Sequence, residues 1–570
     1  MKIEARLKLF VGLLIILGVY FFFTAPKVYE GHSKGFLGDV KVAVSIKDDK
    51  IQDIRVTEHG ETPQLAEVAF DNLIKTIKAT QSIEVNAVAG ATYSSNALKG
   101  AVAMAVQASG AKLKKVDKVV SVKDIKDEIT DVVVIGGGGA GLAAAIEAKE
   151  KGAKVILVEK MPILGGNTNY ATGGLNASES KFQKNKDSNE LFYNDTMKGG
   201  KHKNDSSLVK VLVNKSAEAV EWLVDRGADL KDVGRLGGAS EDRAHRPQGG
   251  GKVGPDMVES LAKRAETVGV DIRVMTAAIS ISSSNGKIDG IIAETNGKKY
   301  KIEAKAVILA TGGFGNNSKL FSTLNPNLKG FVSTNHPGAT GDAIELVEKY
   351  NVALVDMQEI QTHPTVVPSN KTMITEAVRG NGAILINRDG KRFINELETR
   401  DVVSKAILEQ EGKTSFLVFD QGVRESLKAI EQYIKMGIIV EGKNAEELAK
   451  NLNISKENLE SSLATYNKFV AEGKDEEFNR GSLVRKIETG PFYAVEIAPA
   501  VHHTMGGIKI NEKTEVYNND GVVVPGLFAA GEVTGGIHGA NRLGGNALSD
   551  IIVFGRIAGD SAFEYSKDNK

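Results

Sequence analysis

Residues 131–160 read DVVVIGGGGAGLAAAIEAKEKGAKVILVEK, and this stretch decides the fold. Residues 132–135 are apolar throughout, the pattern of a strand buried on both faces of a parallel sheet. Gly136-Gly137-Gly138-Gly139-Ala140-Gly141 follows, then an expected helix over 142–151 and a second strand over 155–158 ending at Glu159. The glycines form G-x-G-x-x-G between strand and helix, and Glu159 lies 23 positions past the first of them. In that setting the helix N-terminus receives a pyrophosphate and the acidic residue holds a ribose hydroxyl. Gly136, Gly138, Ala140, Gly141 and Glu159 are therefore expected to bind a dinucleotide.

Strand-then-glycine segments return far along the chain, as AVILATGGFG (306–315) and GLFAAGEVTGG (526–536). A nicotinamide domain would be continuous and shorter, whereas dispersed segments returning to one site suit FAD. Lys160, Asn167, Thr168, Gly173 and Gly174 extend the first segment, Thr311 and Gly312 belong to the second, and Glu532 to the third. The last segment leads into Asn546, Ala547 and Leu548 at the start of a helix expected over 548–558. Its N-terminus suits negative charge on a reduced flavin.

Between these segments lies QTHPTVVPSNKTMITEAVRGNGAILINRDGKRFINELETRD (361–401), with His363, Thr375, Glu376, Arg379 and Arg400. His502-His503-Thr504 and Asn541-Arg542-Leu543-Gly544-Gly545 lie downstream. Cationic and hydrogen-bonding groups beside apolar residues suit a site that holds a small dianion and delivers a proton. His502 and His503 are adjacent on an expected strand and point to opposite faces. At most one reaches a substrate, and His503 is expected to be structural. The alternative for Arg379 and Arg400 is surface ion pairing with Glu376 and Asp401.

A chain of 570 residues should hold roughly 3 to 4 domains of ~150 residues. Lys+Arg and Asp+Glu are equal at 72, and no basic run points to nucleic acid. Cysteine is absent, which excludes disulfides, thiolate zinc, iron–sulfur clusters and c-type haem. Nine scattered histidines make a poor metal set, so none is assigned.

At the N-terminus Lys2, Arg6 and Lys8 precede 17 uncharged residues, 9–25, just enough to span a bilayer. We read an uncleaved signal anchor over 1–28, with the positive flank in the cytoplasm and the rest outside. A cleaved signal peptide is the alternative, but Phe23 is large and Pro26 would follow the cut. Residues 29–115 form a small domain, with strands over 42–46 and 51–56, a helix over 64–79, and a further helix capped by Ser94 or Ser95. Residues 116–126 read as a linker.

TEAVRGNGAILINRDGKRF (375–393), VHHTMGG (501–507) and GEVTGGIHGANRLGGNALSD (531–550) resemble the soluble fumarate reductase flavoproteins, including the flavocytochrome c type. These belong to the wider succinate dehydrogenase/fumarate reductase flavoprotein family. The resemblance implies an α/β chain with a Rossmann-like FAD domain, 127–356 and 500–570, interrupted by a mobile α+β capping domain, 357–499. It implies reduction of fumarate to succinate by hydride from the flavin, with Arg400 as proton donor fed by Glu376 and Arg379. His502 and Arg542 would hold one carboxylate, and His363 and Thr375 the other. Met373 and Leu236 would press on the substrate's middle, His538 would pack the flavin loop, and the role of His245 stays open. Asn167 stands where membrane-bound relatives link FAD covalently to histidine, so FAD should be non-covalent.

NAVAGATYSS (86–95) resembles the FMN-binding domain in which a flavin transferase esterifies threonine with FMN, here Thr92. Asn86 and Ala89 depart from the family's D-x-x-[ST]-G-A-T. The implied role is anaerobic respiration, with electrons passing from a membrane or extracytoplasmic donor through FMN to FAD. The alternatives are a reductase of another acrylate (urocanate, methacrylate or a cinnamate), an aspartate-type oxidase, and an extracellular flavin carrier.

Overall fold

A computed structural model describes residues 26–34, 38–61, 63–85, 92–113, 126–249, 251–295 and 297–568. The expected anchor segment 9–25, Asn86, Ala89, Gly90, Ala91 and most of the linker lie outside the described residues. Among the described residues, no helix is long and apolar enough to cross a membrane. The chain divides into two compact units, one reaching to Ile125 and including Met161–Ile163, the other comprising Lys126–Lys160 and Leu164–Lys570.

The first unit is a three-stranded antiparallel sheet, Lys27–Lys34, Asp39–Lys47 and Lys50–His59, with helices Pro63–Thr80 and Thr92–Ser109. Asp48 and Asp49 both have positive φ, the geometry a two-residue hairpin turn needs. Val40, Val42, Val44 and Ile46 alternate onto one face and pack with Phe70, Leu73, Ile77, Leu98 and Val102. The expected cap at Ser94 or Ser95 is not where the helix starts. Backbone helix begins at Thr92, and Ser94 Oγ, inside the first turn, instead donates to the Glu61 carboxylate. The side chain of Thr92 is outside the described part.

The second unit is built on a mixed sheet in the spatial order Ala277–Ser284, Lys287–Thr295, Lys298–Leu309, Glu128–Ile135, Val155–Val158, Asp271–Arg273. The last four strands run parallel, and Val523–Ala529 joins Lys298–Leu309 in parallel as well. The fingerprint helix, Gly139–Glu150, lies against the C-terminal helix, Asn546–Asp568. A Cβ on Gly559 would lie 2.3 Å from Ala144 O, so only glycine permits this approach. The C-terminal helix runs past its expected end at 558 because its buried face continues to Ala562 and Ser566. Gly136, Glu159, Gly312 and Gly531 all follow the carboxyl ends of parallel strands, the edge at which open α/β sheets bind ligands.

A second, antiparallel sheet has the order Ile360–Val366, Phe492–Thr504, Ser415–Asp420, Ile384–Ile386. Leu385, Leu417, Val495 and Ile497 face the helices Arg400–Leu408 and Ala429–Lys435. Ile384, Ile386, Phe416 and Val418 face Ala445–Leu452 and Lys456–Glu472. Strand periodicity thus buries both faces. The strand Phe492–Thr504 passes through position 499 without a break and carries the two histidines just before its last residue.

Candidate active site

The nucleotide end is shaped by how the fingerprint glycines face. Gly136 has φ 108°, and a Cβ on Gly141 would lie 1.9 Å from Gly136 O, so this pair lets strand and helix meet. Gly138 faces outward, where a Cβ would approach nothing closer than 3.8 Å, and a Cβ on Gly312 would meet nothing within 4 Å. Open space above backbone at a helix N-terminus is what a pyrophosphate requires. Glu159, buried at the strand end, accepts from Gly137 N–H at 2.7 Å, which aims its carboxylate along the same edge. Thr168 Oγ1 accepts from Gly139 N–H at 3.2 Å, and Lys160 Nζ reaches Asp342 at 2.7 Å. Asn546 opens the C-terminal helix, tied by its side chain to Asn176 and Thr196, with Ala547 and Leu548 in the same turn. These residues fit FAD.

The flavin side is organised by Asn167. Its Nδ2 donates to Asn335 at 2.7 Å and to Glu532 at 3.0 Å, and its Oδ1 accepts from His336 N–H at 2.7 Å. An amide so engaged offers no nucleophile to a cofactor. Glu532 also accepts from Thr504 N–H at 3.1 Å and lies 3.4 Å from His503 Nδ1, and burial raises its proton affinity. The His503 and His538 rings meet edge to face at 5.5 Å, and His538 contacts Asp550 at 3.1 Å. Leu236 lies over Gly173 and Gly544, where a Cβ would meet its side chain at 3.2 and 3.5 Å. Gly174 packs on the strand Ala244–Arg246. His245 in that strand is wholly buried, its ring nitrogens engaged by Ser180 Oγ and Arg243 O.

The charged cleft lies where the antiparallel sheet meets the loop carrying Arg542. Arg400, the first residue of its helix, donates Nε to Glu376 at 2.5 Å and Nη1 to Gln361 Oε1 at 3.1 Å. Arg542 Nη2 donates to the same Gln361 oxygen at 2.9 Å. Gln361 Nε2 is fixed by Asn541 Oδ1 at 2.6 Å and Arg542 O at 2.7 Å. Arg379 Nη2 lies 3.6 Å from Glu376. His502 points from the opposite face of its strand to His503, and its ring stands 5.3 Å from that of His363. His363 Nδ1 accepts from Thr365 N–H at 3.3 Å, which leaves Nε2 as the donor. His502 Nδ1 is 2.7 Å from Thr334 Oγ1. Tyr433 OH accepts from Thr375 N–H at 3.2 Å and donates to Met373 O at 3.4 Å, holding that loop.

Burial alone would raise the pKa of Glu376, but Arg400 and then Arg379 pull it well below the carboxylate range. Burial and then Arg400 hold His363 and His502 neutral. Burial and Arg400 also weaken the hold of Arg542 on its proton. Three guanidinium groups face one carboxylate at this point of the cleft, an excess of positive charge that suits an anionic substrate.

The structure thus brings Arg400, Glu376, Arg379, His363, His502 and Arg542 together, with Thr375 and Met373 in the loop entering Glu376. Sequence reasoning gave no role to Gln361, Thr334 or Asn541. The contact between Gln361 and Asn541 spans 180 positions of the sequence.

A family model described as FAD binding domain matches residues 131–548, and one described as FMN-binding domain matches 35–107. A fumarate reductase (cytochrome) of Shewanella frigidimarina is 51% identical over 447 residues, 78% of each chain. This chain belongs to the fumarate reductase flavoprotein family. It is an FAD-dependent oxidoreductase with an added FMN-binding domain. The NADH:fumarate oxidoreductase of Klebsiella pneumoniae is 42% identical over 529 residues, 92% of this chain and 57% of that one. The solved open conformation of a flavocytochrome c3 fumarate reductase superposes with TM-score 0.70 at 41% identity, covering 77% of this flavoprotein and 79% of that chain.

Proposed function

We propose that this flavoprotein reduces fumarate to succinate. The observation that carries the reading is the pair Arg400 and Arg542, converging on one Gln361 oxygen in a cleft where guanidinium groups outnumber the facing carboxylate. Arg542 and His502 would hold one carboxylate, the planar guanidinium suiting a two-oxygen acceptor. His363, with Nε2–H as donor, and Thr375 would hold the other. Drawing electron density into these carboxylates makes the alkene carbon more electrophilic. Bound FAD would supply the hydride. Arg400 would give a proton to the adjacent carbon. A guanidinium is a very weak acid, so it would serve only because the carbanion is far more basic. Glu376, at 2.5 Å, and Arg379 beyond it would resupply that proton.

The test is anaerobic turnover with a reduced low-potential dye. Arg400→Ala should abolish fumarate reduction while FAD stays bound, and unimpaired turnover would sink the reading. A second reading, another acrylate as substrate, is favoured by relatives named urocanate reductase (Eggerthella lenta, 36% identical) and NADH:acrylate oxidoreductase (Vibrio harveyi, 34%). Comparing kcat/KM across fumarate, urocanate, methacrylate and cinnamate separates the two. Electrons would enter through FMN on Thr92, attached by a flavin transferase. The charge pattern of residues 1–25 supports anchoring at the cell membrane with the flavin domains outside the cytoplasm. Protease accessibility in intact sphaeroplasts tests that placement.

A further inference from the structure

Beneath the turn bearing Glu376 and Arg379 lies a second ionic cluster, outside the cleft. Arg392 donates Nε and Nη2 to the two oxygens of Glu396, each at 3.0 Å, and Arg480 Nη1 donates to Glu396 Oε2 at 3.0 Å. Arg392 Nη2 also reaches Asp475 at 2.9 Å. The Tyr466 ring faces both guanidinium groups, at 5.1 and 5.4 Å. None of the four charged residues is more than 7% exposed. Buried ion clusters lose hydration that well-packed apolar residues never had, so stability alone is a weak reason for one.

What this cluster fixes is Arg379. Arg480 Nη2 donates to the backbone oxygen of Arg379 at 2.7 Å, and its Nη1 and Nε donate to Ala383 O and Ser482 O, each at 3.0 Å. From the other side, the Arg379 guanidinium donates Nη1 to the backbone oxygen of Glu396 at 2.7 Å. Arg379 sits in a helix of four residues, Ala377–Gly380, too short to hold itself, and its backbone oxygen takes the Arg480 bond beside a turn bond from Gly382 N–H at 3.1 Å. Glu376 begins the same turn. The Arg379–Glu376 separation of 3.6 Å is already beyond a hydrogen bond, so a small tilt of the turn decides whether a proton can cross.

We propose that Arg480 and Glu396 are positioning residues of the proton relay, Arg480 pinning the backbone of Arg379 and the Glu396 segment its guanidinium. This rests on the reading of Arg379 as a relay residue. The experiment compares Arg480→Lys, Asp475→Asn and Arg379→Leu in the full FAD-loaded chain. It measures kcat, KM, the solvent deuterium isotope effect on kcat, flavin content and the thermal midpoint. Lysine keeps the charge but cannot make all four bonds. Arg480→Lys should lower kcat tenfold or more with KM within twofold, and raise the isotope effect, as Arg379→Leu does. Asp475→Asn, at the far end of the cluster, should lower only the thermal midpoint. If Arg480→Lys does not fold, the isosteric Glu396→Gln replaces it under the same criteria. A folded, FAD-replete Arg480→Lys with wild-type kcat and isotope effect, beside a slow Arg379→Leu, overturns the inference. A fast Arg379→Leu removes the relay reading itself, and this inference with it.

Discussion

Gln361 Oε1 lies 3.1 Å from Nη1 of Arg400, and the same oxygen accepts from Arg542 at 2.9 Å. One neutral acceptor therefore sets the spacing of the two cations that would flank a substrate. A carboxylate there would neutralise the field that a dianion needs. An amide satisfies both donors and leaves the charge in place.

Gln361→Leu should leave both guanidinium groups without this acceptor. A hydrogen bond to a charged group is worth ~1.5–3 kcal/mol, so kcat/KM for fumarate should fall about 10- to 100-fold. FAD content should not change, because Gln361 touches none of the nucleotide-side residues. Steady-state kinetics with flavin quantification check this, and a loss below twofold would contradict it.

Acid should destabilise the protein in the range where histidine titrates. Burial holds His245, His336, His363, His502 and His503 below the ordinary 6.5, His336 at about 4. Below pH ~6.5 the unfolded chain binds protons that these folded residues do not, so stability falls as pH falls. Each such proton contributes about 1.4 kcal/mol per pH unit. Glu376, depressed by Arg400, loses its contribution only at much lower pH and does not offset the trend. The thermal midpoint should therefore drop steadily from pH 7 to 5, and His245→Gln should flatten the slope. Equal slopes for the two proteins would argue against burial as the cause.

The two flavins should part on denaturation. Asn167 offers an amide where covalent attachment needs an imidazole, so acid precipitation should release FAD to the supernatant. Protein coexpressed with a flavin transferase should keep FMN in the pellet. Thr92→Ala should lose that FMN and retain FAD, as read by mass spectrometry of the intact chain. FMN still attached in Thr92→Ala would place the modification elsewhere.

Some of the site was legible because it rests on local patterns. The alternation that sends His502 to the cleft and His503 to Glu532 follows from strand geometry alone, and the structure keeps both residues on one strand. The expected cap at Ser94 or Ser95 failed because side-chain preference at a helix start cannot exclude two further residues of backbone helix. Gln361 and Thr334 escaped notice because each acts through partners 39 to 181 residues away. Gln361 and Arg400 stand in one quoted stretch, yet no local period shows that residues so far apart meet.

The sequence by itself determined the α/β class, the dinucleotide edge and the flavin-binding segments. These depend on hydrophobic period and on glycines whose backbone must turn or approach closely, both written within a few residues. It also named the charged residues of the cleft through family resemblance. Only the tertiary structure decided how those charges are held: Gln361 between Arg400 and Arg542, and Arg480 under Arg379. Their placement depends on loop and strand ends meeting across a folded core, where burial makes each charge's energy a matter of its neighbours rather than of its type.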